Sequence, residues 1–351
     1  MNERERRLEH PTLNIQRPTS NLKNSNLRGS RFNVRRSMFI PLSFSLSLLL
    51  PLTGCHPPPE HAQPTSQLDP SQISGTRTFE DVRQIVAITP RHSGSEGATR
   101  AATHLRTTLA PFVDTSNLDT FTSETPHGSV TFRNVIGIRL GQGSNLVILA
   151  SHYDTKSGIS DTFQGANDSG SSSGLLIEIA RVLHAQDTLP FSVMFAFFDG
   201  EECMEEYGES DGLHGSRQLV QQLREQDNLT NVKAMILLDM IGDRDLTITV
   251  PRNSDRKLMA MTFDAARAVD IRNKFSLARY TILDDHVPFL EAGIPAIDLI
   301  DFQHGSQHGL NDYWHTENDS LEHISAESLQ SMGEVVIHML NALAAESLTA
   351  P

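Results

Sequence analysis

Two adjacent carboxylates, Glu201 and Glu202, follow an apolar run in the stretch FAFFDGEECMEEY, residues 195–207. Acidic residues are common at the solvated ends of strands and need have no function there. Two like charges beside a buried strand can also carry chemistry, if one carboxylate binds a metal ion and the other transfers a proton. The choice between these interpretations depends on which other side chains meet the pair.

Polar residues also follow, or lie between, other apolar runs of the chain. His152 and Asp154 follow LVILA, Asp239 ends KAMILLD, His315 lies in YWHTEND beyond AIDLI, and Asp168 lies in the loop GANDSGSSSG. A single histidine or aspartate in such a place is more often a helix cap or a hydrogen-bond partner than a ligand. Together they offer imidazole nitrogens and carboxylate oxygens, which zinc binds at about 2.0–2.2 Å. So many carboxylates would repel one another without a cation, which favours a zinc site.

These residues need a scaffold that brings distant parts of the chain together, and the hydrophobic pattern predicts one. Apolar runs typical of strands alternate with segments of helical periodicity. The predicted strands are residues 130–140, 145–150, 191–198, 232–240, 246–250 and 296–300, and the predicted helices are 79–89, 98–109, 173–184, 212–226, 255–269, 287–292 and 326–345. This alternation predicts a three-layer α/β/α fold, with helices on both faces of a mixed, mostly parallel central sheet. Sites in such sheets form at the carboxyl ends of strands, where the polar residues lie.

The first 54 residues have the features of an export signal. Arg35 and Arg36 precede an apolar segment, residues 38–55, which is too short and too interrupted by proline to span a bilayer. Its ending, LTGC, resembles a bacterial lipobox, which predicts that Cys55 is acylated after cleavage. An ordinary secretory signal is the alternative. We therefore expect an extracytoplasmic bacterial lipoprotein that is anchored to the membrane.

Composition divides the chain into three regions and limits its partners. We expect a leader over 1–54, a flexible tether rich in Pro, Gln and Ser over 55–78, and a single zinc-dependent catalytic domain over 79–349. Without the leader, which holds nine Lys and Arg but three Asp and Glu, acidic residues exceed basic ones by 20. A chain so acidic does not neutralise the phosphates of nucleic acid, so we expect no nucleic acid as a partner. We also expect no nucleotide cofactor. If Cys55 is acylated, Cys203 has no partner for a disulfide.

Six motifs occur in a fixed order along the chain: HxD, NDSGS, GEE, LLD, DDHxPF and YWHT. Their order resembles the zinc aminopeptidase family (peptidase family M28) and, within it, the animal-type glutaminyl cyclases. The resemblance covers roughly residues 80–345. The segments DGLHGSR, LLDMIGD and ILDDHVPFLEAGIPAIDLI resemble the cyclase branch, as does Trp314 directly before His315.

The resemblance implies a reaction and a role for each matching residue. The implied reaction converts the N-terminal Gln of a peptide or protein to pyroglutamate, with release of ammonia and one zinc ion as cofactor. The implied zinc ligands are Asp168, Glu202 and His315. The implied catalytic residues are Glu201 as general acid and base, with Asp239 and Asp284 hydrogen-bonded to it. The implied walls of the substrate pocket are Trp314, Tyr207 and Phe302.

Two other functions fit the same residues. In a two-zinc aminopeptidase, His152 and Asp239 would hold a second zinc, Asp168 would bridge both ions, and Glu201 would activate a water. Asp284 discriminates, because aminopeptidases of this family usually have a small residue there, whereas an acid suits a proton relay. A non-catalytic zinc-containing surface binding protein would be favoured if Glu201 or a ligand were missing, and none is.

The sequence departs from the cyclase pattern in two places. Asp298 stands where animal cyclases typically have His, and the segment 301–312 is longer than the corresponding loop. Both departures bear on substrate preference more than on metal binding. We expect His304 and His308, which lie in this longer segment, to be exposed loop residues, and the alternative is that they are additional metal ligands.

Overall fold

The computed structural model describes residues 67–349, and an eight-stranded sheet forms its centre. The strands are β1 (Thr115–Thr125), β2 (Gly128–Arg139), β3 (Leu146–His152), β4 (Ser192–Phe198), β5 (Val232–Asp239), β6 (Ile248–Val250), β7 (Phe275–Leu277) and β8 (Ala296–Ile300). Their order across the sheet is β1-β2-β4-β3-β5-β8-β6-β7. β4, β3, β5 and β8 are parallel, whereas β2 joins β4 and β6 joins β8 in antiparallel pairs. The predicted mixed, mostly parallel sheet is confirmed.

Helices cover both faces of this sheet. They are α1 (Gly75–Val86), α2 (Glu96–Leu109), α3 (Ser172–His184), α4 (His214–Glu225), α5 (Arg256–Ala268), α6 (His286–Glu291) and α7 (Ala326–Thr349). α1, α2, α3, α5 and α7 pack with Val193, Phe195 and Phe197 of β4, whereas α4 and α6 pack with the alternate residues Met194 and Phe198. Successive side chains of a strand point to opposite faces, so each strand serves both cores. None of the helices between residues 67 and 349 is long and apolar enough to cross a membrane.

The folded region begins earlier in the chain than residue 79, where we expected the tether to end. Leu68 and Ile73 are buried in the core, and α1 begins at Gly75. Ser74 caps this helix, because its side chain accepts a hydrogen bond from the backbone of Arg77. A side chain at Gly75 would collide with the Ala326 carbonyl, so the glycine allows α1 and α7 to approach closely. The predicted leader and the first part of the tether, up to residue 66, lie outside the described residues.

Two strands were missed by the hydrophobic pattern. β1 forms an antiparallel hairpin with β2 at the edge of the sheet, and its residues are mostly exposed and polar, TSNLDTFTSET. Its pairing is therefore not visible as alternation of apolar and polar residues. β7 has only three residues, too few to show a period. Neither strand lies among the parallel strands whose ends carry the polar residues described next.

Candidate metal centre and active site

The polar residues singled out in the sequence meet at one edge of the sheet, where the parallel strands end. His152 is the last residue of β3 and Asp239 is the last residue of β5. The loop that follows β4 carries the adjacent acids Glu201 and Glu202. Two more residues come from the loops before α3 and after β8, namely Asp168 and His315. The parallel sheet thus brings together residues that are more than 150 positions apart in the chain.

One group that could hold a metal ion consists of Asp168, Glu202 and His315. His315 Nε2 lies 3.0 Å from Glu202 Oε1 and 3.4 Å from Asp168 Oδ2. Burial lowers the pKa of His315, but the two acids outweigh it and raise the pKa to about 10. The group therefore strongly favours a positive charge at its centre.

A second group shares Asp168 with the first and adds His152 and Asp239. His152 Nε2 lies 3.0 Å from Asp168 Oδ1 and 3.4 Å from Asp239 Oδ1. Asp168 thus faces the first group through Oδ2 and the second group through Oδ1. Both sets of ligands considered in the sequence are therefore assembled, as two neighbouring groups that share Asp168.

The hydrogen bonding of these atoms tests whether the residues fit a metal ion. Three buried atoms have no hydrogen-bond partner within residues 67–349, although other ligand atoms lie near them: His152 Nε2, Asp239 Oδ1 and Glu202 Oε2. Buried polar atoms are nearly always paired, so atoms that converge without pairing need another partner. Imidazole nitrogen and carboxylate oxygen suit a divalent ion such as zinc. The residues therefore fit a metal ion at this position.

Asp154, which is fully buried, holds the loop with the two glutamates in place. Its carboxylate accepts hydrogen bonds from the backbone N–H groups of Glu201 and Glu202, each at 3.3 Å. Ser93 also donates to this carboxylate, at 3.1 Å. The aspartate two residues after His152 therefore orients the neighbouring strand end and lies outside both ligand groups.

Similarity to known proteins agrees with this arrangement. The model of "Peptidase family M28" matches residues 134–340, which is more than half of the chain. The chain belongs to peptidase family M28. It is 32% identical to a glutaminyl cyclase from an Acidobacteriales bacterium, with a TM-score of 0.73 and coverage of 83% of this chain and 100% of that one. For Porphyromonas gingivalis glutaminyl cyclase the identity is 29% and the TM-score 0.70, with coverage of 78% and 99%.

A curated relative shows the same branch of the family in an animal. Glutaminyl-peptide cyclotransferase of Boiga irregularis is 28% identical over 304 residues, which are 76% of this chain and 80% of that protein. The resemblance to animal-type glutaminyl cyclases within M28, predicted from the six motifs, is confirmed.

The predicted base of this M28 protein, Glu201, has a different hydrogen-bond partner from the one expected. Its Oε1 accepts a bond of 2.9 Å from the Tyr207 hydroxyl. Hydrogen bonds from Glu201 to Asp239 or Asp284 were expected and are not found within residues 67–349, where the Glu201 side chain bonds to Tyr207 instead. Burial and the charges of Glu202 and Asp284 raise the Glu201 pKa well above its usual range, against the effect of His152.

More buried acids surround this base. Burial and the charges of Asp239 and Asp285 raise the pKa of Asp284 well above its usual range. Asp298, on β8, is fully buried and neither of its carboxylate oxygens has a hydrogen-bond partner within residues 67–349. Burial and the charge of Asp284 raise its pKa in the same way. The site of this M28 protein therefore combines a metal-binding group with acids that retain protons easily.

Trp314 and Phe302 lie together, as the predicted pocket requires. Their ring centroids are 5.5 Å apart, and they pack with a small apolar cluster that includes Met240 and Ile282. Trp314 also stacks on His315, with centroids 4.0 Å apart. The aromatic pair therefore borders the first metal-binding group, while the third predicted wall, Tyr207, contacts Glu201.

His304 is fully buried, so the prediction that it is an exposed loop residue is wrong. Its Nδ1 lies 2.9 Å from Asp243 Oδ2 and its Nε2 lies 3.3 Å from Asp319 Oδ1. Two buried acids therefore draw this loop inwards, and although burial lowers the pKa of His304, they raise it to about 9. His308, by contrast, is exposed as expected.

Asp319 connects this histidine to the metal-binding group. Its carboxylate accepts hydrogen bonds from the backbone N–H groups of Asn167, at 2.7 Å, and Asp168, at 3.1 Å. In the sequence, only the position of Asp319, four residues after His315, could have indicated this role. The longer loop of this M28 protein is thus tied through His304 and Asp319 to the backbone of a residue shared by both groups.

Lys156 is another residue that sequence reasoning missed. Its Nζ donates to the Cys203 carbonyl at 2.5 Å, lies 3.1 Å from Cys203 Sγ, and is 3.8 Å from Glu202 Oε2. Within residues 67–349, Cys203 is a buried free thiol, whereas Cys55, the other cysteine of the chain, lies outside the described residues. The lysine thus fixes the loop beside Glu202.

Proposed function

We propose that this protein is a zinc-dependent glutaminyl-peptide cyclotransferase, which converts the N-terminal Gln of peptides or proteins to pyroglutamate and releases ammonia. The observation that carries the proposal is the buried acid Asp284, whose charge acts on Glu201 beside an assembled metal-binding group. The similarity to glutaminyl cyclases supports the same reaction.

The reaction places modest demands on the protein, because both reacting groups belong to one residue. The α-amine of Gln attacks its own side-chain amide carbon, a new C–N bond closes the ring, and the bond to the amide nitrogen breaks. An enzyme gains most by holding such a chain in its folded, reactive shape. Trp314 and Phe302 supply an apolar surface beside the metal-binding group on which the Gln side chain would lie.

Glu201 would move the proton that this reaction requires. It would take a proton from the attacking amine and return it to the departing nitrogen, which leaves as ammonia. A carboxylate with a raised pKa is suited to both steps, because it accepts a proton more readily than an ordinary carboxylate and can still release it. Burial and the nearby charges of Glu202 and Asp284 give Glu201 this property. Asp284 would support it through its charge.

Asp168, Glu202 and His315 would hold the zinc ion. When bound, zinc would act as a Lewis acid towards the amide oxygen of the substrate. The three side chains supply one nitrogen and two carboxylate groups, which leaves room for a further ligand. We propose one zinc ion, because these three residues form a complete set of ligands without His152 and Asp239.

A two-zinc aminopeptidase is the second candidate, and one observation favours it. His152, Asp168 and Asp239 also form a group that could hold a metal ion. Glu201 would then activate water instead of an amine. Asp284 argues against this function, because a buried acid beside Glu201 has no place in the metal-binding groups and does suit a proton relay.

Product analysis tests the proposed function. The purified zinc-loaded protein is incubated with a peptide that begins with Gln and with a matched peptide that begins with Leu. We expect the Gln peptide to lose one ammonia and to become resistant to N-terminal sequencing, and the Leu peptide to stay intact. Release of free Leu, with an unchanged Gln peptide, would instead establish the aminopeptidase.

We also propose that the protein is held at the extracytoplasmic face of a bacterial membrane through a lipid on Cys55. The support is the sequence alone, an apolar segment that ends in LTGC and is followed by a polar, proline-rich stretch. Cys55→Ser should move the protein from the membrane fraction to the soluble fraction without changing its specific activity. Equal membrane association of both forms would refute the anchor.

A further inference from the structure

Tyr207 lies in the loop between β4 and α4. Its hydroxyl contacts Glu201, whereas its ring packs against the backbone of its own loop. The hydroxyl donates a hydrogen bond of 2.9 Å to Glu201 Oε1. No other hydrogen bond to the Glu201 side chain is found in the part of the chain that the structure describes. A hydrogen bond to a charged group is stronger than one between neutral groups, and this one fixes a single carboxylate oxygen.

The loop that carries Tyr207 is organised around one buried carboxylate. Asp211 accepts hydrogen bonds from the backbone N–H groups of Met204, Glu205 and Glu206, at 2.6, 2.8 and 3.0 Å. The backbone of Gly208 also donates to the Asp211 carbonyl, at 2.9 Å. These bonds hold the backbone directly before Tyr207, at residues 204–206, and directly after it, at Gly208. The loop therefore defines the position of the Tyr207 ring.

Gly212 packs against the Tyr207 ring and precedes a residue whose backbone hydrogen-bonds to Glu201. A side chain at this position would lie 2.5 Å from Tyr207 Cδ1, so the ring rests directly on the glycine backbone. Gly212 has φ +76°, a conformation that glycine adopts without strain. The next residue, Leu213, donates its backbone N–H to the Glu201 carbonyl at 3.0 Å. The same short segment, Gly212 and Leu213, therefore contacts both the Tyr207 ring and the backbone of Glu201.

We propose that Tyr207 is a positioning residue for Glu201: its hydroxyl fixes Oε1, so that Oε2 is the oxygen that exchanges protons with the substrate. This inference rests on the proposed function only in the choice of substrate. It differs from the role of pocket wall that the family resemblance implied. A wall acts through its ring, whereas a positioning residue acts through its hydroxyl.

Tyr207→Phe separates the two roles, because it keeps the ring and removes the hydroxyl. With a Gln peptide as substrate, we expect kcat to fall about tenfold or more, as for the loss of a hydrogen bond to a charged group. KM should stay within about twofold, and zinc content and melting temperature should not change. Tyr280→Phe is the matched control, because it removes a hydroxyl from a tyrosine that is 45% exposed. The kcat of this variant should equal that of the wild type.

A double-mutant cycle shows whether the hydroxyl acts through Glu201. In a Glu201→Gln background, Tyr207→Phe should cause no further loss of the residual rate, because the carboxylate it positions is gone. Three results would overturn the proposal: an unchanged kcat in Tyr207→Phe, a raised KM with an unchanged kcat, or an equal loss in both backgrounds. If the wild type cleaves a Leu-anilide and does not cyclise Gln, the proposed function fails. The same cycle on anilide hydrolysis then decides the role of Tyr207, since Glu201 is the base there too.

Discussion

Glu201 and Glu202 are neighbours in sequence but have different surroundings in the fold. Glu202 meets His315 through Oε1, and its buried Oε2 has no hydrogen-bond partner within residues 67–349. Glu201 accepts a hydrogen bond from Tyr207. The backbone bonds to Asp154 hold both residues at the strand end, so that one side chain reaches the metal-binding group and the other remains outside it.

Substitution of each glutamate should therefore have a different effect. Glu201→Gln keeps the shape but cannot take a proton, so we expect zinc to remain bound and turnover to fall by about 10²–10⁴. Glu202→Ala removes a ligand, so we expect the zinc content of the purified protein to fall with the activity. Metal analysis beside an ammonia assay checks both. Near-normal turnover in Glu201→Gln would mean that the roles are assigned wrongly.

At the scale of residues, the sequence was sufficient for the groups that lie at strand ends. The polar residues after apolar runs, from His152 to His315, all meet at one edge of the sheet. It was not sufficient for contacts between loops. The bond from Tyr207 to Glu201 and the burial of His304 depend on how loops fold over the sheet edge, and hydrophobic periodicity contains no information on that.

The element that most distinguishes this site is the loop of residues 301–312. His304 lies between Asp243 and Asp319, and Asp319 in turn holds the backbone of Asp168. Buried charged groups that lose one partner become costly, because the remaining charge is left uncompensated. The loop therefore stabilises the position of Asp168 through His304 and Asp319, and it supplies no ligand to the metal-binding group.

His304→Ala should weaken zinc binding although His304 is not a ligand. We expect the affinity for zinc to fall about 10–100-fold, as for other residues that orient ligands, and the melting temperature to fall as well. Competition with a chelator and thermal unfolding measure the two effects. His308→Ala, in the same loop but exposed, is the control and should behave as the wild type. Equal behaviour of the two variants would show that the loop does not support the site.

At the scale of elements, the central strands and most helices could be predicted from their sequence, because their burial gives a clear period. β4 was predicted at 191–198 and spans Ser192–Phe198, and β8 was predicted without error at 296–300. The edge strand β1 could not be predicted, since an exposed polar strand gains its stability from pairing with β2. The start of α1 was placed too late, because its first residues are polar or glycine and only the cap at Ser74 marks them.

The stability of the whole molecule depends on how many acidic side chains are buried together near the site. Asp298 is fully buried without a hydrogen-bond partner among residues 67–349, and its pKa is raised well above the usual value by burial and by Asp284. A carboxyl group whose pKa is raised by folding binds its proton more tightly in the folded protein than in the unfolded chain. Its effect on stability is therefore absent below the unfolded pKa, near 4, and becomes a penalty as the pH rises towards the folded pKa.

Asp298→Asn should remove this penalty. We expect the melting temperature of the variant to exceed that of the wild type by about 2–4 °C at a pH of about 8, and to match it at a pH of about 4. Thermal unfolding of both proteins at the two pH values, each with equal zinc, measures the difference. A variant that is less stable by the same amount at both pH values would show that Asp298 contributes a specific contact instead.

We propose that this M28 protein uses one zinc ion for cyclisation, and a zinc titration of the metal-free protein can decide this. Ammonia release from a Gln peptide and anilide release from a Leu-anilide are measured at each addition of zinc. We expect ammonia release to reach its maximum at one equivalent of zinc and anilide release to stay absent beyond two equivalents. Anilide release that rises with the second equivalent, without ammonia release from Gln, would contradict the proposal.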